Sequence, residues 1–406
     1  MNAKQLLLNG GLEMNSVRRI NEDYCYVGAS ERSPKLFENL FPVPRGVSYN
    51  SYLLADEKTV LFDTVDRAVG DAFFENLSAA LGGRKLDYAV VSHVEPDHAA
   101  TLAELVLRYP GVKLVCNAKS ANMIKQFFDF DFDPLLVAEG EELSVGVHTL
   151  KFIMAPMVHW PEVMFTFDER DGILFSADAF GAFGALEGSI FADELDIASE
   201  WQDDYLRYYS NIVGKYGTQV QAALKKTAGL DIRTICPLHG PVWRGELTRL
   251  LEKHDRWSKW EPETDDVLIV YSTVYGNTER AAAQAAAYLA DKDRKVRMIN
   301  ICTTDRSYAV AEMFRTKNIL LATTTYNNGI YPAMEYLLAD IAALALRDRR
   351  VGIIENGTWA PAAAKLISAK LDTMKNIEVA GVLTVKSALK TEQEAQLQEL
   401  CDALIS

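Results

Sequence analysis

The chain has 406 residues, more than one hydrophobic core usually supports, so two domains are expected, and its 49% hydrophobic content suffices for both. A formal net charge of −14 and a pI near 5.0 argue against nucleic acid or an anionic membrane as partner, because both reward clustered Lys and Arg. No stretch approaches the length of a membrane span, and residues 1–10 hold a three-leucine patch with no small-residue cleavage site, so a cytoplasmic protein is expected. Cys25, Cys116, Cys236, Cys302 and Cys401 are odd in number, widely spaced and form no CxxC pair, which fits free thiols in a reducing compartment.

Short β-like runs separated by Gly, Asp and Pro dominate the first 160 residues: 23–28, 48–55, 59–62, 88–92, 113–116 and 148–155. Between them, residues 66–81, 99–109 and 120–128 carry apolar side chains at three and four spacing, the pattern of amphipathic helices on a sheet face. Residues 173–177 and 232–237 read as further strands, with a long helical region, 200–227, between them. The pattern predicts a sheet-rich, layered α/β domain that ends near Lys253.

Directly after the strand-like stretch 86–91, the run His93-Val94-Glu95-Pro96-Asp97-His98 puts two imidazoles and two carboxylates into six residues. In an extended segment side chains alternate, so His93, Glu95 and Asp97 share one side. Pro96 resists an early helix and lets the chain turn so that His98 converges as well. The plain alternative is a solvated loop, since single Asp, Glu and His residues are mostly surface. Three more donors at strand ends or in adjoining loops favour a metal: His159, Asp178 and His239. Together they make four imidazoles and three carboxylates, enough for two metal ions with Asp178 as a bridge. With no thiolate, structural zinc or an iron–sulfur cluster is disfavoured, and a mixed imidazole and carboxylate set suits iron or manganese as well as zinc. Glu95 adds a hard oxygen where a hydrolytic zinc site prefers another imidazole, so iron is expected.

This His-x-Glu-x-Asp-His run, with His159, Asp178 and His239 at these intervals, resembles the metallo-β-lactamase-like domain of flavodiiron proteins. Zinc hydrolases of that superfamily carry His where this chain has Glu95. The resemblance implies an αββα sandwich in which His93, Glu95 and His159 hold one iron, Asp97, His98 and His239 the other, and Asp178 bridges. Whether His98 ligates the second iron or stands beside it is left open. His148, in a strand-like alternation, and His254, in a polar helix, read as structural.

Residues 257–266 are polar, contain Pro262 and read as a linker between a first domain, 1–255, and a second, 265–406. After it come five strand candidates, 267–271, 296–300, 318–322, 350–355 and 377–385, alternating with helices at 278–290, 310–314, 331–346, 360–374 and 391–403. That rhythm predicts a doubly wound parallel five-stranded sheet. Its first strand leads into Ser272-Thr273-Val274-Tyr275-Gly276-Asn277-Thr278 and at once into a helix, an arrangement that cradles a phosphate through backbone N–H groups. No Lys is present, so a nucleoside triphosphate with magnesium is not expected. The third strand is followed by Thr324, Thr325, Tyr326, Asn327, Asn328 and Gly329, and the fourth by Asn356, Gly357, Thr358, Trp359 and Ala360. Tyr326 and Trp359 are placed to flank an isoalloxazine ring, with Asn327, Asn328 and Gly329 supplying N–H groups to its polar edge. The whole resembles the flavodoxin-like domain of flavodiiron proteins, whose cofactor is FMN, and the likeness covers nearly the full chain.

A two-electron flavin beside two one-electron irons is a device for reducing a small diatomic. The resemblance implies reduction of O2 to water, NO to N2O, or both, with rubredoxin or a similar carrier feeding the FMN. No GxGxxG unit follows a strand, so direct oxidation of NADH is not supported. It also implies a head-to-tail homodimer, alone or as a dimer of dimers, that sets one chain's FMN against the other's irons. Two rival readings are a zinc-dependent hydrolase of metallo-β-lactamase fold fused to a flavodoxin-like electron-transfer domain, and an electron-transfer module with no metal. Glu95 counts against the first, and the seven donors against the second. Many relatives carry a His in the loop written here Leu36-Phe37-Glu38-Asn39, so the pocket wall is expected to differ. Tyr205, Tyr208 and Tyr209 are expected to be packing residues, a hydrogen bond to a bound diatomic being the alternative.

Overall fold

Two mixed sheets lie face to face in the first of two compact units of the computed structural model, which describes residues 15–245 and 247–406. This unit comprises residues up to Tyr209 and Thr218–Asp255. One sheet runs, in spatial order, Arg18–Arg19, Tyr24–Tyr26, Tyr52–Ala55, Thr59–Phe62, Tyr88–Val90, Lys113–Cys116 and Leu135–Leu136. The other runs Glu142–Ser144, Thr149–Met154, Met164–Asp168, Ile173–Phe175, Thr234–Cys236 and Trp243–Arg244. Phe62 of the first sheet stacks on Phe175 of the second with centroids 3.7 Å apart, and Tyr24 and Tyr52 close around the same ring at 5.7 and 5.5 Å. Helices Gly70–Leu81, Leu102–Arg108 and Ala118–Phe127 follow successive strands of the first sheet, and Phe73, Phe74 and Leu77 are the buried face of the first of them.

The parallel pairs in this sandwich decide where chemistry can sit. Thr59–Phe62 pairs in parallel with Tyr88–Val90, and Ile173–Phe175 with Thr234–Cys236. Their carboxyl ends lead into Asp63, His93, Asp178 and His239, the edge where sheets of this kind bind ligands.

Several segments depart from the sequence expectation. The run 48–55 is two strands, Val47–Tyr49 and Tyr52–Ala55, in different sheets. The break falls at Asn50 and Ser51, whose buried side chains donate to the carbonyls of Pro237 and Gly240 and of Asp63, while the Asn50 backbone N–H turns to the Leu238 carbonyl at 2.8 Å. Met164–Asp168, fully buried, is a strand where none was expected. Pro96 does not delay a helix: it occupies the first position of the short turn Pro96–Ala99, where its missing N–H costs nothing. Region 200–227 is not one helix but Gln202–Tyr208 and Gly217–Thr227 joined by wide and tight turns. At Gly217 a Cβ would stand 2.2 Å from the Ser258 carbonyl, so only glycine permits that approach. Residues 257–266 are no solvated tether: helix Leu247–Ser258 runs into them, Trp257 is 1% exposed with its indole N–H donating to Glu263 at 2.7 Å, and a strand begins at Thr264.

The second unit comprises Ser210–Gly217 and Arg256–Ser406. Its sheet is parallel, in the order Val296–Asn300, Thr264–Tyr271, Thr316–Tyr326, Arg349–Asn356, Ile377–Val385, so the second strand in sequence lies at one edge beside the first. This is the doubly wound order with a switch point between the first and third strands. Ala281, Ala282, Ala285 and Leu289 of helix Asn277–Asp291 and Leu397, Leu400, Cys401 and Leu404 of helix Glu394–Ile405 form one core with that sheet. Among the described residues no helix is long and apolar enough to cross a membrane.

Candidate metal centre and flavin cleft

The seven donors converge as two adjoining groups, His93, Glu95, His159 and Asp178 in one and Asp97, His98 and His239 in the other. In the first, Glu95 Oε2 lies 3.1 Å from Nε2 of both His93 and His159, and Asp178 Oδ2 lies 3.0 Å from His159 Nε2. In the second, Asp97 Oδ2 lies 3.1 Å from His239 Nε2 and 3.4 Å from His98 Nε2. The other oxygen of Asp178, Oδ1, lies 3.0 Å from His98 Nε2, so this one carboxylate turns an oxygen to each group. Asp97 falls with the second group, not with His93 and Glu95, because the turn at Pro96 ends the alternation.

Supporting residues hold these side chains. Glu162 Oε1 takes the Nδ1 side of His93 at 2.7 Å and the Val94 N–H at 3.0 Å, which directs His93 Nε2 into the centre. His239 Nδ1–H donates to the Ser48 carbonyl at 2.8 Å. Asp63 accepts from the backbone N–H of Ser92 and His93 at 2.7 and 3.3 Å, and burial pushes its carboxyl up to about 6. Glu162, Asp63 and Ser48 have no signature in sequence beyond a carboxylate just after Pro161 and polar residues at strand ends.

The electrostatics are those of a site that exchanges protons for metal. Burial disfavours charge on His93, but Asp178, then Glu162 and Glu95, outweigh it and raise this imidazole well above its usual range. His159 is raised to about 9 in the same way, burial opposing and the hydrogen bonds of Asp178 and Glu95 prevailing. Glu95, opposed by burial, is brought down to about 2 by His159 and His93. His98 Nε2, Asp178 Oδ1 and His239 Nε2 are buried without a hydrogen-bond partner among the described residues, and Asp178 Oδ1 stands 3.0 and 3.9 Å from the two imidazole nitrogens. Imidazoles and carboxylates so arranged fit divalent iron, and loading must release the protons they hold. Glu162→Gln is expected to weaken metal binding about 10–100-fold, as an iron titration of the metal-free protein would measure.

The aromatic wall separates the three tyrosines. Tyr208 is 1% exposed, its ring stands 5.5 Å from His239, and its hydroxyl has no hydrogen-bond partner among the described residues. Burial, then the charges of Asp178, Asp97 and Glu95, raise that phenol well above its usual range. Tyr208 is the tyrosine that faces the donors. Glu38 lies near enough that burial, then the charge of Glu95, pushes it up to about 7. Tyr205 lies 2.5 Å from His254 Nδ1, and Phe180 and Tyr209 pack on the same imidazole at 4.3 and 5.4 Å, so His254 is structural as expected. Burial lowers His254 to about 3, so the unfolded chain takes up a proton near pH 6.5 that the folded chain refuses until about pH 3. Stability therefore falls as pH drops through that window, by about 2 kcal/mol at pH 5 from this residue. In His254→Phe the difference in urea-unfolding free energy between pH 7.5 and 5 is expected to shrink by about that amount.

In the second unit a cleft of about 570 Å³ opens at the carboxyl ends of the strands. Thr273, Val274, Tyr275, Asn277 and Thr278 line one side, Thr324 to Asn328 another, and Asn356 to Ala360 a third, together with Ser387, which sequence reasoning missed. Ser272, Gly276 and Gly329 support the cleft without lining it. The buried Ser272 hydroxyl bonds Thr323 at 2.6 Å, Gly276 turns the chain with φ +88° into helix Asn277–Asp291, and Gly329 closes a hairpin against Tyr326. Asn327 and Asn328 both have positive φ, 50° and 59°, as a two-residue hairpin turn demands. Among the described residues no side chain caps the N-terminus of the Asn277 helix, so its N–H groups remain for a phosphate. Trp359 is 88% exposed and Tyr326 45%, two aromatic rings bordering a polar cleft.

A family model described as "ODP family beta lactamase" matches residues 47–240. The anaerobic nitric oxide reductase flavorubredoxin of Aliivibrio fischeri is 33% identical over 368 residues, covering 89% of this chain and 72% of that protein. That of Escherichia coli O1:K1 is 32% identical over 365 residues, covering 88% and 74%. Among solved structures, rubredoxin oxygen:oxidoreductase from Desulfovibrio gigas superposes with TM-score 0.90 at 27% identity, over 96% of this chain and 98% of that one. The flavodiiron protein of Giardia intestinalis does so with TM-score 0.92 at 25% identity, over 97% of each chain.

Proposed function

Since the chain belongs to the flavodiiron proteins, we propose that it is an FMN-dependent diiron oxidoreductase that reduces O2 to water, NO to N2O, or both. The observation that carries this reading is Asp178, one carboxylate with an oxygen toward each of two imidazole and carboxylate groups. On this reading residues 1–255 form the metallo-β-lactamase-like diiron domain and residues 265–406 the flavodoxin-like FMN domain. His93, Glu95 and His159 would hold one iron, Asp97, His98 and His239 the other, and Asp178 both. Inclusion of His98 is supported by its Nε2 standing 3.0 Å from Asp178 Oδ1.

When bound, the iron pair supplies open coordination positions and low-potential electrons, and FMN a two-electron store that rubredoxin or a similar carrier refills. The protein's own part is orientation and proton supply. Glu162, Asp63 and Ser48 fix the rings of His93 and His239 and the backbone between Ser92 and His98. Reduction of O2 to water consumes four protons and of two NO to N2O two, and the Tyr208 hydroxyl faces the donors with its proton retained. Thr273, Thr278, Asn356 and the helix N-terminus would hold the FMN phosphate, and Tyr326 and Trp359 its ring. A head-to-tail homodimer in the cytoplasm, one chain's FMN serving the other's irons, completes the reading. A strictly monomeric variant is expected to lose turnover.

The zinc hydrolase reading is not favoured: Glu95 replaces the imidazole such a site would use, and the FMN-sized cleft has no part in hydrolysis. The test is metal and flavin analysis of anaerobically purified protein, then parallel O2 and NO consumption with reduced rubredoxin. About two irons and one FMN per chain with consumption of either gas is the expected result. Zinc in place of iron, with thioester or lactone hydrolysis, overturns it.

A further inference from the structure

A third group of donors lies at the opposite edge of the sandwich. Asp56 and Asp171 precede the strands Thr59–Phe62 and Ile173–Phe175, whose carboxyl ends lead to Asp63 and Asp178 of the metal centre. His148 stands between these turns, 0% exposed. Its Nδ1–H donates to Asp56 Oδ2 at 2.8 Å, an oxygen that also accepts the His148 backbone N–H at 2.8 Å. Gly146, at φ +141°, allows this: a Cβ there would stand 2.4 Å from Asp56 Oδ1.

With Nδ1 committed as donor, Nε2 of a neutral ring presents a lone pair. It is buried, without a hydrogen-bond partner among the described residues. Three carboxylates stand near it: Asp23 Oδ2 at 3.6 Å, Asp171 Oδ2 at 3.6 Å and Asp168 Oδ2 at 3.9 Å. Those separations are too long for hydrogen bonds but close to the roughly 3.0–3.4 Å that divides two ligand atoms each about 2.1 Å from one metal ion. Among the described residues, the one Lys or Arg within ion-pair distance of Asp23, Asp56, Asp168 or Asp171 is Arg170, 3.9 Å from Asp171. Four carboxylates around one imidazole leave an excess of negative charge that a cation would offset.

We propose that His148 Nε2, Asp23 and Asp171, with Asp168 beside them, form a mononuclear site for a divalent transition ion, separate from the dinuclear centre. The carboxylate behind the ligating imidazole is the orienting arrangement of many metal sites, here supplied by Asp56. One nitrogen among oxygens suits Mn2+ or Zn2+, whereas Ca2+ prefers oxygen alone. Such an ion would tie together three turns: residues 21–23, the one entering Thr149–Met154, and the hairpin at Asp171, where Asn21 already donates to Asp171 at 2.6 Å.

The test is a Mn2+ titration of the full chain loaded with FMN and iron, followed by loss of the free-Mn2+ electron paramagnetic resonance signal. The wild type is expected to take up one Mn2+ per chain with its iron content unchanged. Asp23→Asn/Asp171→Asn, at partly exposed positions that need not disturb the core, is expected to bind at least about 100-fold more weakly, and Asp56→Asn about 10–100-fold more weakly. Turnover of O2 or NO should be the same in all three. No uptake by the wild type, equal uptake by the double variant, or uptake matched by release of iron into solution each overturns the proposal.

Discussion

Asp178→Asn is expected to empty the dinuclear centre. Asparagine keeps the size of the side chain but replaces one of its two oxygens by an NH2 group, which ligates no metal and repels one. In the native chain Oδ2 serves His159 and Oδ1 serves His98, each at 3.0 Å, so whichever way the amide turns, one group loses its shared oxygen. The lost negative charge matters as well, because Glu95 and Asp97 are then the only carboxylates among the seven donors left to balance two divalent ions. Altering an outer residue that merely orients a ligand costs about 10–100-fold in metal affinity, and removing a ligand common to both ions should exceed that for each. Bound iron is expected to fall from two to below one per chain, and kcat/KM for either gas by about 10³-fold or more. Iron content near two with unimpaired turnover would exclude a bridging role. Near-native unfolding by urea in the metal-free state would show that the loss is of ligation and not of fold.

What was legible in sequence follows from distance along the chain. His93 to His98 could be read as a cluster because six residues must lie together wherever the strand ends, whereas Glu162 reaches His93 from 69 residues away and acquires meaning only through the ring it orients. The second unit was readable because a parallel sheet with buried strands leaves continuous apolar runs, each followed by its loop at the ligand-binding edge. The first unit was harder. Asn50 sits in what looks like one strand and is buried for the sake of a loop nearly 190 residues distant, while Ser51 beside it bonds the end of the next strand. Helix Gly217–Thr227 has to begin on a glycine because the Ser258 carbonyl lies against that backbone, a neighbour 41 residues further along the chain. His148 and His254 read alike as structural histidines, yet one is enclosed by Tyr205, Phe180 and Tyr209 and the other by four carboxylates, a difference that no local pattern announces.

The flavin cleft yields to a different substitution. Trp359, 88% exposed, and Tyr326, 45% exposed, are large apolar rings held at the rim of a polar cleft with little covering them. Stacking of an aromatic side chain on a planar ring system contributes about 1–3 kcal/mol per face. Trp359→Ala/Tyr326→Ala is therefore expected to weaken FMN binding by about 10²–10⁴-fold, measured by fluorescence recovery as FMN dissociates. Iron content should stay at two per chain, since the altered residues belong to the FMN domain and none supplies a metal donor. The loss must appear in electron delivery alone: rubredoxin-driven gas consumption should fall with FMN occupancy and return when free FMN is added in excess of the weakened dissociation constant. If occupancy and turnover instead survive the double substitution, the ring is held by the backbone of Asn327, Asn328 and Gly357, and the two aromatics are no more than exposed surface.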